Sequence, residues 1–401
     1  ALGELDDSPE EYLIITTRDN SDWLRPYLGR NQRIVTEPTP VKVSPSSYNI
    51  INKIGRLILP HARNLITRIN PPPPPSLWPE IPLSNGFFES LRCDVIHFPY
   101  QQFVLCAIPS IYNPHDLQHL HLPNFFTPQT IAWREVMYPA GCRFAHTVVV
   151  GSNWIKQDVI TQYNIPCDKI QIIPWAPPTQ AYQQPTQDKL EIIKNKYSLN
   201  APFVLYPAVT WEHKNHIRLL NALAQLRSSK GIPINLVCTG GKYSEYWPKI
   251  ESKIIELNLD KNVFFLGHVP PEDLRALYKL ALFVIVPTLF EAASGPVFES
   301  WQERTPVACS SVTSLPEQVD DAALLFDPLS VDEITQVLFK MSTDADLRSK
   351  LIQNGSDRLG DFSWERTAKA YRAVYRRAAR YTLTEEDQLL LDWDWMKNPR
   401  P

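Results

Sequence analysis

Two glutamates, Glu291 and Glu299, stand eight positions apart in the segment Phe290-Glu-Ala-Ala-Ser-Gly-Pro-Val-Phe-Glu299. Between them lie Ser294 and Gly295, either of which can cap a helix, and Pro296, which suits a first helical position. Backbone N–H groups at a helix start lack intrahelical partners and bind anions, so a diphosphate fits over Gly295, Pro296 and Val297. The sequence places Glu299 in the first helical turn and Glu291 on the loop before it. Two carboxylates around an anion site suit a sugar nucleotide, one accepting hydrogen bonds from the sugar and the other from the ribose. A plainer reading is a solvated loop glutamate and a second glutamate drawn to the helix dipole. A third is the carboxylate pair of a glycoside hydrolase. Eight helical residues span about 12 Å at 1.5 Å each, more than the roughly 5–9.5 Å such pairs need, although part of this spacer is loop.

Lys214 sits at the expected start of another helix, where the dipole disfavours a cation and a bound anion would account for it. His213 and His216 flank it; His213 can assist with phosphate, and His216 reads as a solvated surface residue. Further forward, His115 follows a strand-like run, with His119 and His121 behind it. Three histidines at this spacing raise the question of a metal, but only Asp116 accompanies them, so a hydrogen-bonded structural role reads better. The two D-x-D patterns, Asp344-x-Asp346 and Asp392-x-Asp394, fall at a helix start and in the tail, and no metal site is assigned.

These residues need strands to aim them. From Phe203 onward, short apolar strands alternate with amphipathic helices: Phe203–Pro207, Ile234–Thr239, Val263–Leu266, Leu282–Val286 and Val307–Ser310 are the strands. Such alternation predicts a parallel sheet covered on both faces. Before it, Tyr12–Thr17, Asp94–Phe98, Ile108–Tyr112, Thr147–Val150 and Ile170–Pro174 read as strands, with Ser152 capping a helix. Pro71–Pro75 is a stiff extended segment, and Pro177–Thr186 reads as a linker. The fold class is therefore α/β, with two doubly wound lobes whose ligand lies at the carboxyl ends of the strands, in the crevice between them. The expected domains are 1–180, 187–362 and a C-terminal helix and tail at 363–401, the helix Trp364–Arg380 carrying cations over much of its surface.

E-x7-E after the fourth strand of such a C-terminal lobe resembles the retaining family 4 glycosyltransferases of the GT-B fold. Leu205-Tyr-Pro-Ala-Val-Thr-Trp-Glu-His-Lys-Asn-His216 is similar to their donor-diphosphate loop, Phe265-Leu-Gly-His-Val269 to their base-touching turn, and Asn113-Pro-His-Asp-Leu117 to their H-D-L segment. Thr313–Glu317 and Ala323–Pro328 are family-like too, and the resemblance runs from about Asp94 to Arg377. It implies two Rossmann-like lobes and a hexosyltransferase that needs no metal and no cofactor beyond its co-substrate, a nucleotide-diphosphate sugar. It implies catalytic roles for His115 and Glu291, and donor binding by Thr210, Lys214, Val269, Ser294, Gly295, Pro296, Val297 and Glu299. Mannose is the preferred sugar and GDP the preferred nucleotide; the acceptor is a glycan or a lipid-linked glycan. There are two departures. No arginine precedes Lys214 within the loop, and Tyr12–Thr17 corresponds to the relatives' second strand, without their first strand and Gly-rich loop. Both motivate an alternative, a non-catalytic sugar-nucleotide or glycan-binding protein of the same fold.

Composition narrows the partners. The 401 residues carry a net charge of −3, which argues against a nucleic-acid binder held by phosphates, and no apolar run is long enough to span a membrane. Glycine is scarce at 13 against 37 prolines, and no G-x-G-x-x-G occurs. The six cysteines are scattered and read as reduced core residues, which with the acidic start favours the cytoplasm. The basic apolar stretch 50–69, with Lys53, Arg56, Arg63 and Arg68, is the candidate for a peripheral contact at the cytoplasmic membrane face, although Pro60 interrupts it.

Overall fold

In the computed structural model, residues 1–5, 7, 9–16, 21–36, 80–177 and 184–395 are described. The basic stretch 50–69, Pro71–Pro75 and the centre of the linker lie outside the described residues. Three parallel sheets are present. Among the described residues, strands β1 (Tyr12–Thr16) and β2 (Gln32–Thr36) pair only with each other. The first lobe's sheet has the order β3-β4-β5-β6, from Ile96–Phe98, Ser110–Tyr112, Thr147–Val150 and Ile170–Ile172. Tyr12–Thr17 is a strand over Tyr12–Thr16, and among the described residues its ladder runs to β2 and not to this larger sheet.

The second lobe carries six strands in the order β12-β11-β10-β7-β8-β9. They are β7 (Phe203–Pro207), β8 (Asn235–Thr239), β9 (Val263–Phe265), β10 (Phe283–Val286), β11 (Val307–Ser310) and β12 (Leu324–Phe326). Alternate residues of each strand feed opposite cores: Val204, Tyr206, Leu236 and Cys238 one, Phe203, Leu205, Val237 and Val284 the other. Both faces are dry, which is why these strands are apolar without alternation. Strand β12 and the helix Gln187–Lys196 were not anticipated from the sequence.

The helices that matter for the site are α1 (Pro128–Phe144), α2 (Asn153–Tyr163), α3 (His216–Lys230), α4 (Pro271–Leu280), α5 (Gly295–Gln302), α6 (Ala345–Leu359), α7 (Trp364–Ala378) and α8 (Glu385–Asp392). Ser152, Asp344, Ser363 and Thr384 each cap a helix by accepting the N–H three residues on. The first lobe's sheet has one face under α1 and α2. Its other face is covered by the chain's far end: Ile111, Val149 and Ile173 pack on Ala370, Ala373, Val374, Leu390 and Leu391 of α7 and α8. The cations of α7 are accordingly not a surface stripe. Arg372, 2% exposed, pairs with Asp7, and Arg376 donates to Glu10 at 2.6 Å and Asp387 at 2.8 Å. Apolar residues of α7 turn to the sheet, and two of its arginines, Arg372 and Arg376, are taken up by the acidic N-terminal segment.

Of the cysteines, Cys142, Cys238 and Cys309 are buried, Cys93 and Cys106 intermediate, and Cys167 exposed; all are free thiols. Reading all six as core residues holds for only part of the set.

The scarce glycines show their use at Gly240, after β8. It adopts φ +100°, and a Cβ there would meet the Ala208 carbonyl carbon at 2.7 Å. Its N–H donates to Gly267 O at 2.7 Å, so three strand-end loops meet at one residue that must lack a side chain. Gly240→Ala should lower stability by about 1–3 kcal/mol, read from chemical denaturation.

Candidate functional site

The strand order of the second lobe reverses between β7 and β10, which are hydrogen-bonded neighbours. At such a seam the two following loops diverge and leave a crevice. Lys214 rides on the loop after β7 and Glu291 on the loop after β10, and Lys214 Nζ donates to Glu291 Oε2 at 2.8 Å, both side chains 17% exposed. The loops are laced together beneath this pair. Leu289 N–H donates to His213 O at 2.8 Å, and Asn215 Nδ2 donates to Pro287 O at 2.9 Å and Pro328 O at 2.8 Å. Tyr206 O–H donates to Lys214 O at 2.6 Å.

A third loop, after β11, fixes Glu291 from outside. Thr313, at φ +51°, donates its hydroxyl to Glu291 O at 2.6 Å and accepts Glu291 N–H at 3.0 Å. Gln318 clamps Ser294, accepting its N–H at 2.8 Å and donating to its carbonyl at 2.9 Å. Ser294 is the N-cap residue of α5, but its hydroxyl makes no capping bond and is buried without a partner. The helix therefore opens on an unused hydroxyl and uncapped N–H groups, beside a fixed carboxylate and a lysine. Val297 offers only its backbone to this start, since its side chain is fully buried in the core.

Glu299 departs from expectation. Because the helix begins at Gly295, Glu299 is its fifth residue and stands in the second turn, not the first. Burial raises its pKa, and Tyr278 O–H, donating to its Oε2, works against that rise. Glu299, Tyr278, Pro296 and Val269 line one cavity of about 400 Å³ with Val209, Gly240 and His268. The structure thus brings Val269, Pro296 and Glu299 together in that cavity, and Lys214, Glu291, Ser294 and Gly295 around the seam. Thr210 belongs to neither group by its side chain: fully buried, it accepts Tyr243 N–H at 2.7 Å and ties two loops together.

The two histidines beside Lys214 are corrected. His216 is not solvated but 1% exposed, its ring 4.7 Å from Tyr206, with neither nitrogen partnered. Burial, reinforced by Lys214, pulls its pKa down to about 3, and does the same to His213. Both are neutral near pH 7, which leaves Lys214 as the loop's cation and removes His213 as a charged phosphate ligand.

On the facing lobe His115 sits at φ +63°, with Nε2 2.6 Å from Pro99 O. A carbonyl can only accept, so Nε2 carries the proton and Nδ1 of the neutral ring is an acceptor. Burial lowers its pKa. Trp175 lies edge-on at 5.2 Å, with exposed Tyr100 nearby. His119 and His121 turn to their own acids, at 2.6 Å from Glu135 and 2.9 Å from Asp158, so the three histidines diverge.

The lobes touch through the same loops. Phe290 packs 5.5 Å from both His121 and Trp154, Ser314 bonds Ser152 at 2.7 Å, and Glu317 accepts Asn153 N–H at 2.9 Å. A second-lobe carboxylate thereby caps a first-lobe helix. Thr313, Gln318, Tyr278 and Glu317 escaped sequence reasoning as site-shaping residues. In the sequence Thr313–Glu317 stands out only as a run.

An unfolded histidine titrates near 6.5, whereas His216 in the fold does so at about 3. Between those values unfolding takes up a proton, so stability falls as the pH drops below about 6.5. His216→Phe should flatten this acid limb by about 1.4 kcal/mol per pH unit, compared by urea denaturation at pH 7 and pH 5.

Two families match the chain back to back: "Glycosyltransferase Family 4" over residues 34–177 and "Glycosyl transferases group 1" over residues 188–358. Among curated proteins, the chain is similar to the O-antigen chain mannosyltransferase B of Escherichia coli, 27% identical over 65% of this chain and 69% of that one. It is also 28% identical to the MMP alpha-(1->4)-mannosyltransferase of Mycolicibacterium hassiacum, over 55% of this chain and about half, 51%, of that protein. Among solved structures, Anabaena Alr3699/HepE in complex with UDP and glucose superposes with a TM-score of 0.63 at 16% identity, covering 90% of each chain, a likeness of fold. With two matched family regions lying on two parallel-sheet lobes, the chain belongs to the family 4 glycosyltransferases and has the GT-B fold.

Proposed function

We propose that this glycosyltransferase moves a hexose, preferentially mannose, from a nucleotide-diphosphate sugar to a glycan or lipid-linked glycan, with retained configuration. The observation that carries the reading is the Lys214–Glu291 pair at the seam, 2.8 Å apart, beside a helix start with an unpartnered serine hydroxyl. An arriving diphosphate takes over Lys214 and the N–H groups of Gly295 and Val297, and Ser294 Oγ gains an acceptor. Glu291, released from Lys214 yet held by Thr313, then accepts from the sugar hydroxyls. Glu299 receives the ribose, and the base lies in the cavity against the Val269 backbone. His115 supports the sugar or the acceptor from the facing lobe.

As the sugar–phosphate bond breaks, negative charge grows on the departing diphosphate. Lys214 and the positive end of α5 are already in place for it, with no reorganisation required. This scheme asks for no divalent ion. The mannosyl preference draws support from the names of the relatives, and retention from the family resemblance. A peripheral membrane contact through residues 50–69 belongs to this proposal, for a lipid-linked acceptor. No helix among the described residues is long and apolar enough to cross a membrane.

Lys214→Ala and Glu291→Ala should each lower sugar transfer by on the order of 10²–10³ while the far-ultraviolet circular dichroism stays unchanged. In a thermal-shift panel of GDP, UDP and ADP sugars, GDP-mannose is expected to raise Tm most; at 100 times Kd it adds about 2.7 kcal/mol. Binding without transfer to any acceptor would favour the non-catalytic alternative, and a flat panel would remove the enzyme reading and sugar-nucleotide binding, leaving glycan binding.

A further inference from the structure

The helix α7 (Trp364–Ala378) crosses from the second lobe onto the first, and one face of it is polar where it meets the first lobe's strand ends. Trp364, Thr367, Tyr371 and Tyr375 follow one another at intervals of three, four and four residues, which aligns them along one helix face. Each makes a specific bond. Trp364 Nε1–H donates to Pro177 O at 2.8 Å, and Thr367 O–H donates to Pro174 O at 2.9 Å. Asn113 Nδ2 donates to Tyr371 Oη at 2.7 Å, and Tyr375 Oη lies 2.8 Å from His97 Nδ1. The chain closes on itself because His97 Nε2 is 2.7 Å from Asn113 Oδ1.

The Asn113 amide, oriented with Nδ2 toward Tyr371 and Oδ1 toward His97, sets the proton order. The amide oxygen of Asn113 can only accept, so His97 Nε2 carries its hydrogen. Burial lowers the His97 pKa to about 4, so the ring is neutral near pH 7 and Nδ1 holds a lone pair. Tyr375 therefore donates to His97, His97 to Asn113, and Asn113 to Tyr371. The links are coupled: one reverses only if all three reverse together.

The segments gripped in this way carry the acceptor-side wall. Asn113 is the first residue beyond β4 and stands two before His115, whose backbone is at φ +63°. Pro174 and Pro177 bracket Trp175, the ring that meets His115 at 5.2 Å. At its other end the helix is tied to the donor side. Phe362, just ahead of it, packs on Phe298 of α5 at 4.8 Å, and Arg358 donates to Glu317 O at 2.7 Å and Gln318 O at 3.1 Å. Gln318 is the clamp on Ser294. A rod of 15 residues, about 22 Å long at 1.5 Å per residue, thus joins the start of α5 to the His115 loop.

We propose that Thr367, Tyr371 and Tyr375, with His97 and Asn113, are positioning residues for transfer: this face of α7 sets where His115 and Trp175 stand relative to the donor. The proposal rests on the glycosyltransfer reading of the site. The donor's diphosphate, ribose and base are assigned to second-lobe groups alone, so loosening the stripe displaces the first-lobe wall around His115 and leaves those donor contacts in place. Transfer needs reacting atoms within about 3–3.5 Å, and a displacement near 1 Å can cost 10²-fold.

The test uses the full chain carrying Thr367→Val and Tyr371→Phe together, changes that keep volume and remove only two hydrogen bonds. The expected result is a fall in kcat of about 10-fold or more, with the donor KM and the donor's thermal shift within about 2-fold of the parent. Thr367→Ser in the Tyr371→Phe background should recover part of the loss. Hydrogen exchange supplies a readout without turnover: amides at 115–117 and 175–176 should exchange faster in the double variant, while those at 289–297 keep the parent's rate. Unchanged exchange at the first-lobe loops overturns the proposal whether or not the chain is active. So does an unchanged kcat, or donor binding that weakens in step with kcat. A parent that transfers nothing, paired with the expected exchange pattern, faults the glycosyltransfer reading and leaves the positioning geometry standing.

Discussion

A sheet wound outward in both directions from one seam leaves two loops at that seam with no helix between them. Every other feature of this site follows from that constraint. The loops after β7 and β10 cannot be braced by a crossover element, so they brace each other through Leu289, His213 and Asn215. With both neighbouring histidines neutral, the exposed edge of the seam is a balanced pair, one lysine and one glutamate. A cation confined beside an anion at a half-open edge exchanges its partner readily, because another anion replaces the charge it gives up. Were either residue deeply buried, separating the pair would leave an uncompensated charge in a dry interior at several kcal/mol.

The second lobe reaches its partner through the same loops. Glu317 is the cap of a helix it does not belong to, and the proline-rich end of β6 is held by a tryptophan and a threonine of α7. The contacts across the crevice include short, directional polar bonds, with Phe290 and Ala292 as apolar members. A junction of that composition specifies an orientation more than it adds stability, since hydrogen bonds exchanged with water are worth only about 0.5–1.5 kcal/mol each.

Much of this was legible in the sequence, for physical reasons. Strands buried on both faces are apolar end to end, and helix starts advertise themselves, so five of the second lobe's six strands could be read and Ser152 recognised as a cap. The glutamate pair was visible because a Gly-Pro step marks a helix start. What escaped depended on tertiary placement. Nothing local distinguishes His216 from a solvated histidine, because its burial comes from Tyr206 and Phe265 on separate strands. Arg372 looked like surface because its partner Asp7 stands at the other end of the sequence. Thr313 and His115 take left-handed backbone conformations that their residue types do not announce, and Glu299 moved by one position, out of the first turn, because the helix starts at Gly295, a boundary no propensity resolves that finely.

The closure of the first lobe's sheet by α7 and α8 bears on how the chain is made. Ile111, Val149 and Ile173 find their covering residues roughly two hundred positions or further downstream, and Asp7 waits for Arg372. During synthesis the first lobe emerges early with one face of its sheet still open to water, and the second lobe is complete in sequence before that face can be covered. The lobe that is translated first is thus the one finished last, and until then an apolar parallel sheet stands available to any chaperone or neighbouring chain.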